Sequence, residues 1–354
     1  MSKFGICFFG RKGAGRRMFL DIMEIISQDE SNDDFVFIGN RSITPNSLYG
    51  VTFLGIDTFR GFRSLFHFLM SYRNQRSAFE SFVRNENISK ILFLLPSPID
   101  WMVTFWARNL GIRTNHIIHD AKAHPGEIWP TRASIRWRLK RSDGIICLSR
   151  YVAHECLETY SSNEIKVTSH PFFLPMRARK GINFNLPNKY VLFAGRNKKY
   201  KGLYWLLSTY EEAHLDFPLI LAGSGHKVPK KLKLSNIFVI NKWLDDLEMD
   251  ELIAGAEVVV LPYLEGTQSG ILSSAIQYKR KIVATSVGGF REQAGEYENI
   301  FWVEPGKGDE LAGTLRKAHL RNRSEATFPN LEFVGIRKHA EESYRLMLKM
   351  IFNT

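Results

Sequence analysis

Val258-Val259-Val260-Leu261-Pro262-Tyr263-Leu264-Glu265-Gly266-Thr267-Gln268-Ser269-Gly270-Ile271-Leu272-Ser273-Ser274-Ala275 holds a strand, a loop and a helix start in one stretch. Val258 to Leu261 is a short, unbroken apolar run, as expected of a strand buried on both faces. Pro262 ends it, and a turn of small residues follows. A helical pattern opens at about Gly270. Such a unit is an anion cradle, because the first amides of a helix have no partner within it. Glu265 stands at the mouth of the loop as a carboxylate. Amides for phosphate and a carboxylate for hydroxyls suit a phosphorylated sugar.

The same alternation runs along the chain. Phe4–Phe9, Phe35–Ile38, Val51–Leu54, Ile91–Leu95, His116–Ile118, Gly144–Leu148 and Val167–Ser169 read as strands. Phe19–Ser27, Arg63–Asn85, Trp101–Leu110 and Tyr151–Tyr160 read as helices between them. Strands alternating with helices predict a parallel sheet covered on both faces. The pattern breaks around Pro171, Pro175 and Pro187, which read as a linker. It resumes with strands at Tyr190–Ala194, Leu219–Ala222, Ile237–Ile240, Val258–Leu261, Lys281–Ala284 and Ile300–Val303. Helices are expected at Leu203–His214, Asp246–Gly255 and Gly270–Tyr278, with a final amphipathic helix near Phe333–Ile351.

A chain of 354 residues exceeds one ordinary core. The expected class is therefore α/β, with two doubly wound domains at 1–172 and 188–332, a linker at 173–187 and a closing helix at 333–354. Ligands of such sheets bind outside the carboxyl ends of the strands, so the site is expected in a cleft between the domains.

Composition is that of a globular protein, 44% hydrophobic and 24% charged. No apolar run is long enough to span a membrane, and the first residues carry no signal-peptide pattern. Cys7, Cys147 and Cys156 lack metal-ligand spacing and read as buried thiols of a reducing compartment. The net charge of +12 suits nucleic acid, an anionic membrane or an anionic substrate. The basic residues cluster. Arg132, Arg136, Arg138, Lys140 and Arg141 lie beside Trp129 and Trp137, and Arg60, Arg63, Arg73, Arg76 and Arg84 are interleaved with phenylalanines. Two readings stay open, adsorption to an anionic bilayer and a solvated helix face over core aromatics. No nucleic-acid-binding module is present, so nucleic acid is not an expected partner.

Several loops after strands carry chemistry. Gly195-Arg196 and Lys201-Gly202 follow the first strand of the second domain, offering a planar fork of donors and a point charge for a diphosphate. Gly223 ends the next strand and permits close approach of backbone to ligand. Trp243 reads as a core side chain. In the first domain, His119-Asp120 and His124-Pro125-Gly126-Glu127 follow a strand. Of metal ligation and substrate contact, contact with sugar and acceptor hydroxyls fits better. Gly10-Arg11-Lys12-Gly13-Ala14-Gly15 follows the first strand without completing a dinucleotide fingerprint. Gly13 and Gly15 are expected to touch phosphate or acceptor.

Together these motifs resemble the GT-B fold glycosyltransferases of family 4, a retaining group that builds bacterial surface polysaccharides. The resemblance spans nearly the whole chain and is strongest from Tyr190 to Glu304. It implies two Rossmann-like domains facing across a cleft, with the last helix crossing back to the first. It assigns Arg196 and Lys201 to the diphosphate and Glu265 to the hydroxyls of the donor sugar. The amides of Thr267 and Gln268 would face the sugar, and those of Ser269 and Gly270 the distal phosphate. His119 falls where the family has a histidine near the donor sugar. Gly288-Gly289 and Glu292 match a turn followed by a helix. The family's Glu-x7-Glu motif is incomplete, because Ser273 stands where a second Glu would bind ribose.

The resemblance further implies transfer of a hexose from a nucleotide sugar, UDP-linked as the first expectation and GDP-mannose as the second. The acceptor would be a lipid-linked oligosaccharide or glycan in O-antigen, capsule or exopolysaccharide synthesis. No cofactor and no tightly held metal are implied. The protein is expected in the cytoplasm, peripheral at the inner face of the cell membrane. The alternatives are an inert sugar-nucleotide-binding protein of the same fold, a sugar-nucleotide epimerase, or a basic nucleic-acid-binding protein.

Overall fold

A computed structural model describes all residues except 1, 30–32, 44–49, 60–61, 98, 124–128, 160–163, 177–183, 230–234, 321–329 and 353–354. The chain divides into two compact units. One comprises Met1–Ala123, Ile128–Thr168 and Lys349–Thr354, and the other comprises Ser169–Leu348.

In the first unit the strands are β1 (Lys3–Phe8), β2 (Phe35–Asn40), β3 (Phe53–Ile56), β4 (Ile88–Phe93), β5 (Arg113–Ile118), β6 (Gly144–Cys147) and β7 (Glu164–Val167). The helices are α1 (Ala14–Ser27), α2 (Phe62–Asn85), α3 (Asp100–Asn109), α4 (Trp129–Arg141) and α5 (Arg150–Thr159). The strands form one sheet in the order β3-β2-β1-β4-β5-β6-β7, every pair parallel.

The second unit contains β8 (Val191–Ala194), α6 (Leu203–Glu212), β9 (Leu219–Ala222), β10 (Ile237–Ile240), α7 (Asp246–Gly255), β11 (Val258–Leu261) and α8 (Gly270–Gln277). It continues through β12 (Lys281–Thr285), α9 (Phe290–Ala294), β13 (Ile300–Val303), α10 (Gly308–Leu320) and most of α11 (Asn330–Phe352). Its sheet runs β10-β9-β8-β11-β12-β13, again parallel. The end of α11 belongs to the first unit, where the Phe352 ring meets Phe4 and Phe35 at 4.6 and 5.5 Å.

The unbroken apolar strands are explained by burial on both faces. Val191, Phe193, Val258 and Val260 enter one core layer, and Leu192, Ala194, Val259 and Leu261 enter the opposite one. A fully buried side chain of this size contributes about 1.5–3 kcal/mol, so neither face tolerates polar residues. These are the two Rossmann-like parallel-sheet domains that the alternation predicted.

Several details differ from the sequence reading. β4, β5 and β7 begin three residues before their expected apolar runs, with Lys90, Arg113, Glu164 and Lys166 inside the strands, and α1 begins five residues early. β3 lies two residues later than expected. α10 falls outside the helices read from the sequence. Trp243, expected in the core, is 44% exposed, because it follows the edge strand β10, whose Phe238 and Val239 are also exposed. The three cysteines are free and buried.

Candidate active site

The second sheet reverses its direction of winding between β8 and β11. Crossovers diverge there, leaving a crevice at the carboxyl ends of the two strands, where such sheets bind ligands. Arg196 follows β8 and Glu265 follows β11. The loops are held to one another by backbone. Gly195 N–H donates to Ala222 O at 2.8 Å, Asn197 N–H to Ser224 O at 3.0 Å, and Leu264 N–H to Tyr200 O at 2.7 Å. Gly223 has φ +133°, and a side-chain carbon on it would collide with Gly195 O, so only glycine allows this approach. A single 3-10 turn, Lys199–Lys201, brings Lys201 back, with Nζ 5.0 Å from the centroid of the Tyr263 ring.

Arg196 and Glu265 are exposed and Lys201 is half-buried. None of the three has an ion-pair partner among the described residues. Two cations and a carboxylate left unpaired on mutually braced loops are what a ligand with a diphosphate and hydroxyls requires.

His226 lies behind these loops. It is 2% exposed, it packs edge-on against Phe193 at 5.5 Å, and neither ring nitrogen makes a well-formed hydrogen bond. The carbonyls of Ala222 and Gly195 lie near the ring, and burial, aided by the Lys201 charge, holds the imidazole below its usual range. A neutral ring is thereby wedged under the Gly195–Lys201 turn.

The amino end of α8 differs from expectation. Ser269 caps the helix, its Oγ accepting from Leu272 N–H at 3.4 Å. The Ser269 amide does not face outward. It donates to Gln293 Oε1 at 2.9 Å, while Gln293 Nε2 donates to Ser269 O at 2.8 Å and to Ser273 Oγ at 2.7 Å. Ser273 is 1% exposed, with His170 Nδ1 3.4 Å away. Its hydroxyl is thus engaged by Gln293 inside the second unit. The amides of Gly270 and Ile271 are the ones without a partner among the described residues. Thr267 and Gln268 are buried beside them, and Thr267 O accepts from Gly289 N–H at 3.1 Å.

In the first unit the winding reverses between β1 and β4. Gly13, φ +80°, caps α1 without a side-chain hydrogen bond, and the space above its Cα is open. Gly15 is buried against the Phe8 ring. His119 and Asp120 follow β5, with His119 Nδ1 3.1 Å from Asp120 Oδ2. His124 and Glu127 lie outside the described residues. Arg138, read from sequence as part of an outward basic cluster, is 1% exposed. Its guanidinium donates to Ile117 O at 3.0 Å, Leu94 O at 2.9 Å and Asp100 Oδ2 at 3.1 Å. Asp100 in turn accepts from Ser97 N–H at 2.9 Å, and Ser97 Oγ accepts from Phe9 N–H at 3.2 Å. This network ties the carboxyl ends of β1, β4 and β5 together. Burial pushes the Asp100 carboxyl up, opposed by the Arg138 charge and the Ser97 hydrogen bonds.

Gln293 and His226 escaped the sequence reading. Glu292 drew attention through its motif, but Glu292 is exposed while its neighbour Gln293 turns inward. Among the described residues no group of three His, Cys, Asp or Glu side chains is arranged to hold a metal ion.

Comparison with known proteins locates the family signal in the second unit. Residues 188–320 match the family model described as glycosyl transferases group 1. An uncharacterized glycosyltransferase of Methanocaldococcus jannaschii is 23% identical over 191 residues, and the alignment covers 49% of each protein, so the chain spans about half the length of this curated relative. Among solved structures, sucrose-phosphate synthase from Thermosynechococcus elongatus superposes with a TM-score of 0.67 at 15% identity, covering 98% of this chain and 94% of that one. HepE of Anabaena, in complex with UDP-glucose, gives a TM-score of 0.64 at 12% identity over 99% and 98% of the two chains. Residues 188–320 therefore resemble a glycosyltransferase group 1 domain, carried in a chain with the two-domain GT-B fold.

Proposed function

We propose that this chain is a retaining glycosyltransferase of family 4. It moves a hexose from a nucleotide sugar to a lipid-linked or glycan acceptor in polysaccharide synthesis. The observation that carries the proposal is the set of three unpaired charges, Arg196, Lys201 and Glu265, at the winding reversal of the sheet that matches the group 1 model. The Arg196 fork and the Lys201 ammonium take the charge that develops on the departing diphosphate. The Gly270 and Ile271 amides add the positive end of the α8 dipole. Glu265 accepts hydrogen bonds from hydroxyls of the sugar. His119 belongs to the other unit, and its role toward the donor sugar rests on the family resemblance.

In the reaction, the bond from the anomeric carbon to the diphosphate oxygen breaks. A bond to the acceptor oxygen forms on the same face of the sugar. The acceptor proton passes to the leaving phosphate oxygen. UDP is the favoured nucleotide, in keeping with the UDP-glucose bound to HepE, and GDP-mannose is the second candidate. The test is nucleoside diphosphate release that depends on acceptor, with the anomeric configuration of the product read by NMR. Retained configuration is expected. Inversion would overturn the retaining mechanism, and no release with any donor would overturn the transferase.

The same proposal locates the enzyme in the cytoplasm, at the anionic inner face of the membrane. No helix among the described residues is long and apolar enough to cross a membrane. On α2, Phe66, Leu69 and Met70 form one stripe and are 63, 60 and 71% exposed. Arg73 extends that face, and Arg136, Lys140 and Arg141 are exposed on α4. Apolar and basic residues on exposed helix faces suit adsorption to anionic lipid. Cosedimentation with phosphatidylserine vesicles at low salt is expected, and its absence would refute this location.

A further inference from the structure

We infer that the amino-end face of the first sheet is a binding site for a phosphoryl group, separate from the proposed donor site and independent of it. A cavity of about 80 Å³ opens there, lined by Lys90, Arg113, Asn115, Gly144, Glu164 and Lys166. Strand register brings them together. Lys90 pairs with Arg113, Asn115 with Gly144, Gly144 with Glu164, and Ile146 with Lys166. Side chains two apart along a strand share a face, so Arg113 with Asn115, and Glu164 with Lys166, point the same way.

The charges do not balance. One carboxylate, Glu164, is shared by Arg113 at 2.9 Å and Lys166 at 3.7 Å. Lys90 has no carboxylate partner among the described residues, and its Nζ lies 5.6 and 5.9 Å from the Phe4 and Phe352 rings. Burial and the like charges of Lys166 and Arg113 depress its pKa, opposed by the Glu164 carboxylate. A second observation points the same way. Asn115 is 7% exposed and lines the cavity, yet its amide makes no hydrogen bond to a described residue. Gly144 keeps the floor open, since a side-chain carbon there would stand 2.7 Å from Asn115 Oδ1.

Four donor groups around a compact space with surplus positive charge match a tetrahedral oxyanion. A cavity of this size admits a phosphoryl group. Arg113 and His119 lie six positions apart on and just beyond β5, about 20 Å at about 3.3 Å per residue. The cavity is therefore at the opposite end of the strand from His119.

The test is limited acetylation of the full-length protein in phosphate and in chloride at matched ionic strength, read by peptide mass spectrometry. Phosphate should slow labelling of Lys90 and Lys166, by about tenfold at ten times the dissociation constant. Labelling of exposed Lys140 and Lys317 should not change. Glycerol 3-phosphate is the second probe. Protection by both compounds assigns a phosphoryl site open to a substituent, and protection by inorganic phosphate alone assigns an ion site. Equal labelling of Lys90 in all three buffers overturns the inference, leaving a water-filled cavity. A phosphate-dependent rise in melting temperature should also survive Arg196→Ala and disappear in Lys90→Met. The reverse pattern would assign the phosphate to the donor loops.

Discussion

At the winding reversal of the first sheet, charge is paired and buried. Arg138 and Asp100 close the ends of β1, β4 and β5 with hydrogen bonds to Ile117, Leu94 and Ser97. At the corresponding reversal of the second sheet, Arg196, Lys201 and Glu265 stand without ion-pair partners among the described residues. The strand orders are the same over the six strands that the sheets share. The difference teaches that topology supplies a crevice, and that the pairing of charge decides what the crevice is for. A buried ion pair braces the scaffold, whereas unpaired charges on braced loops suit the ligand proposed for them.

The sharpest way to break this comparison is to exchange the consequences of two arginines. Arg138→Met strands Asp100 in the core and should cost about 3–5 kcal/mol of stability, read from the denaturant midpoint. A loss under about 1 kcal/mol would mean that the pair is not structural. Arg196→Ala and Lys201→Ala should each leave stability within about 0.5 kcal/mol and lower turnover by about 10²–10³. Unchanged turnover in both would remove the diphosphate role. Smaller effects sharpen the account of α8. Gln293→Ala strands the Ser269 amide, at about 1–3 kcal/mol, and should weaken donor binding by loosening the helix end. Ser273→Ala removes only one acceptor and should change nucleotide affinity by no more than about 0.5 kcal/mol. A larger loss would assign Ser273 a contact with the ribose.

The fold was legible wherever burial on both faces wrote an apolar run, as in Val258–Leu261. It blurred where a strand carries charge. β4 and β7 were read short because Lys90, Glu164 and Lys166 sit within them, and those residues line the cavity of the first sheet. In α4 the helix was legible but the burial of Arg138 was not, because Arg138 occupies a core position without being apolar. The loop residues of the donor side were legible as residue types at strand ends. Their partners were not. Gln293 reaches Ser269 across 24 positions of sequence, and a contact of that range leaves no local pattern. Histidine was equally ambiguous. His116 is buried between Thr104 Oγ1 at 3.2 Å and Ser142 Oγ at 2.8 Å, where burial holds it well below its usual range, while His119 lies partly exposed beyond the same strand.

The most direct test of the central claim is thermal shift of the wild type and of Arg196→Ala/Lys201→Ala against UDP-, GDP-, ADP- and dTDP-sugars. A ligand that binds only the native state raises the melting temperature. The account predicts a rise confined to one nucleotide class, UDP first, that vanishes in the double variant. No rise with any nucleotide sugar, or a rise that persists without Arg196 and Lys201, would contradict it.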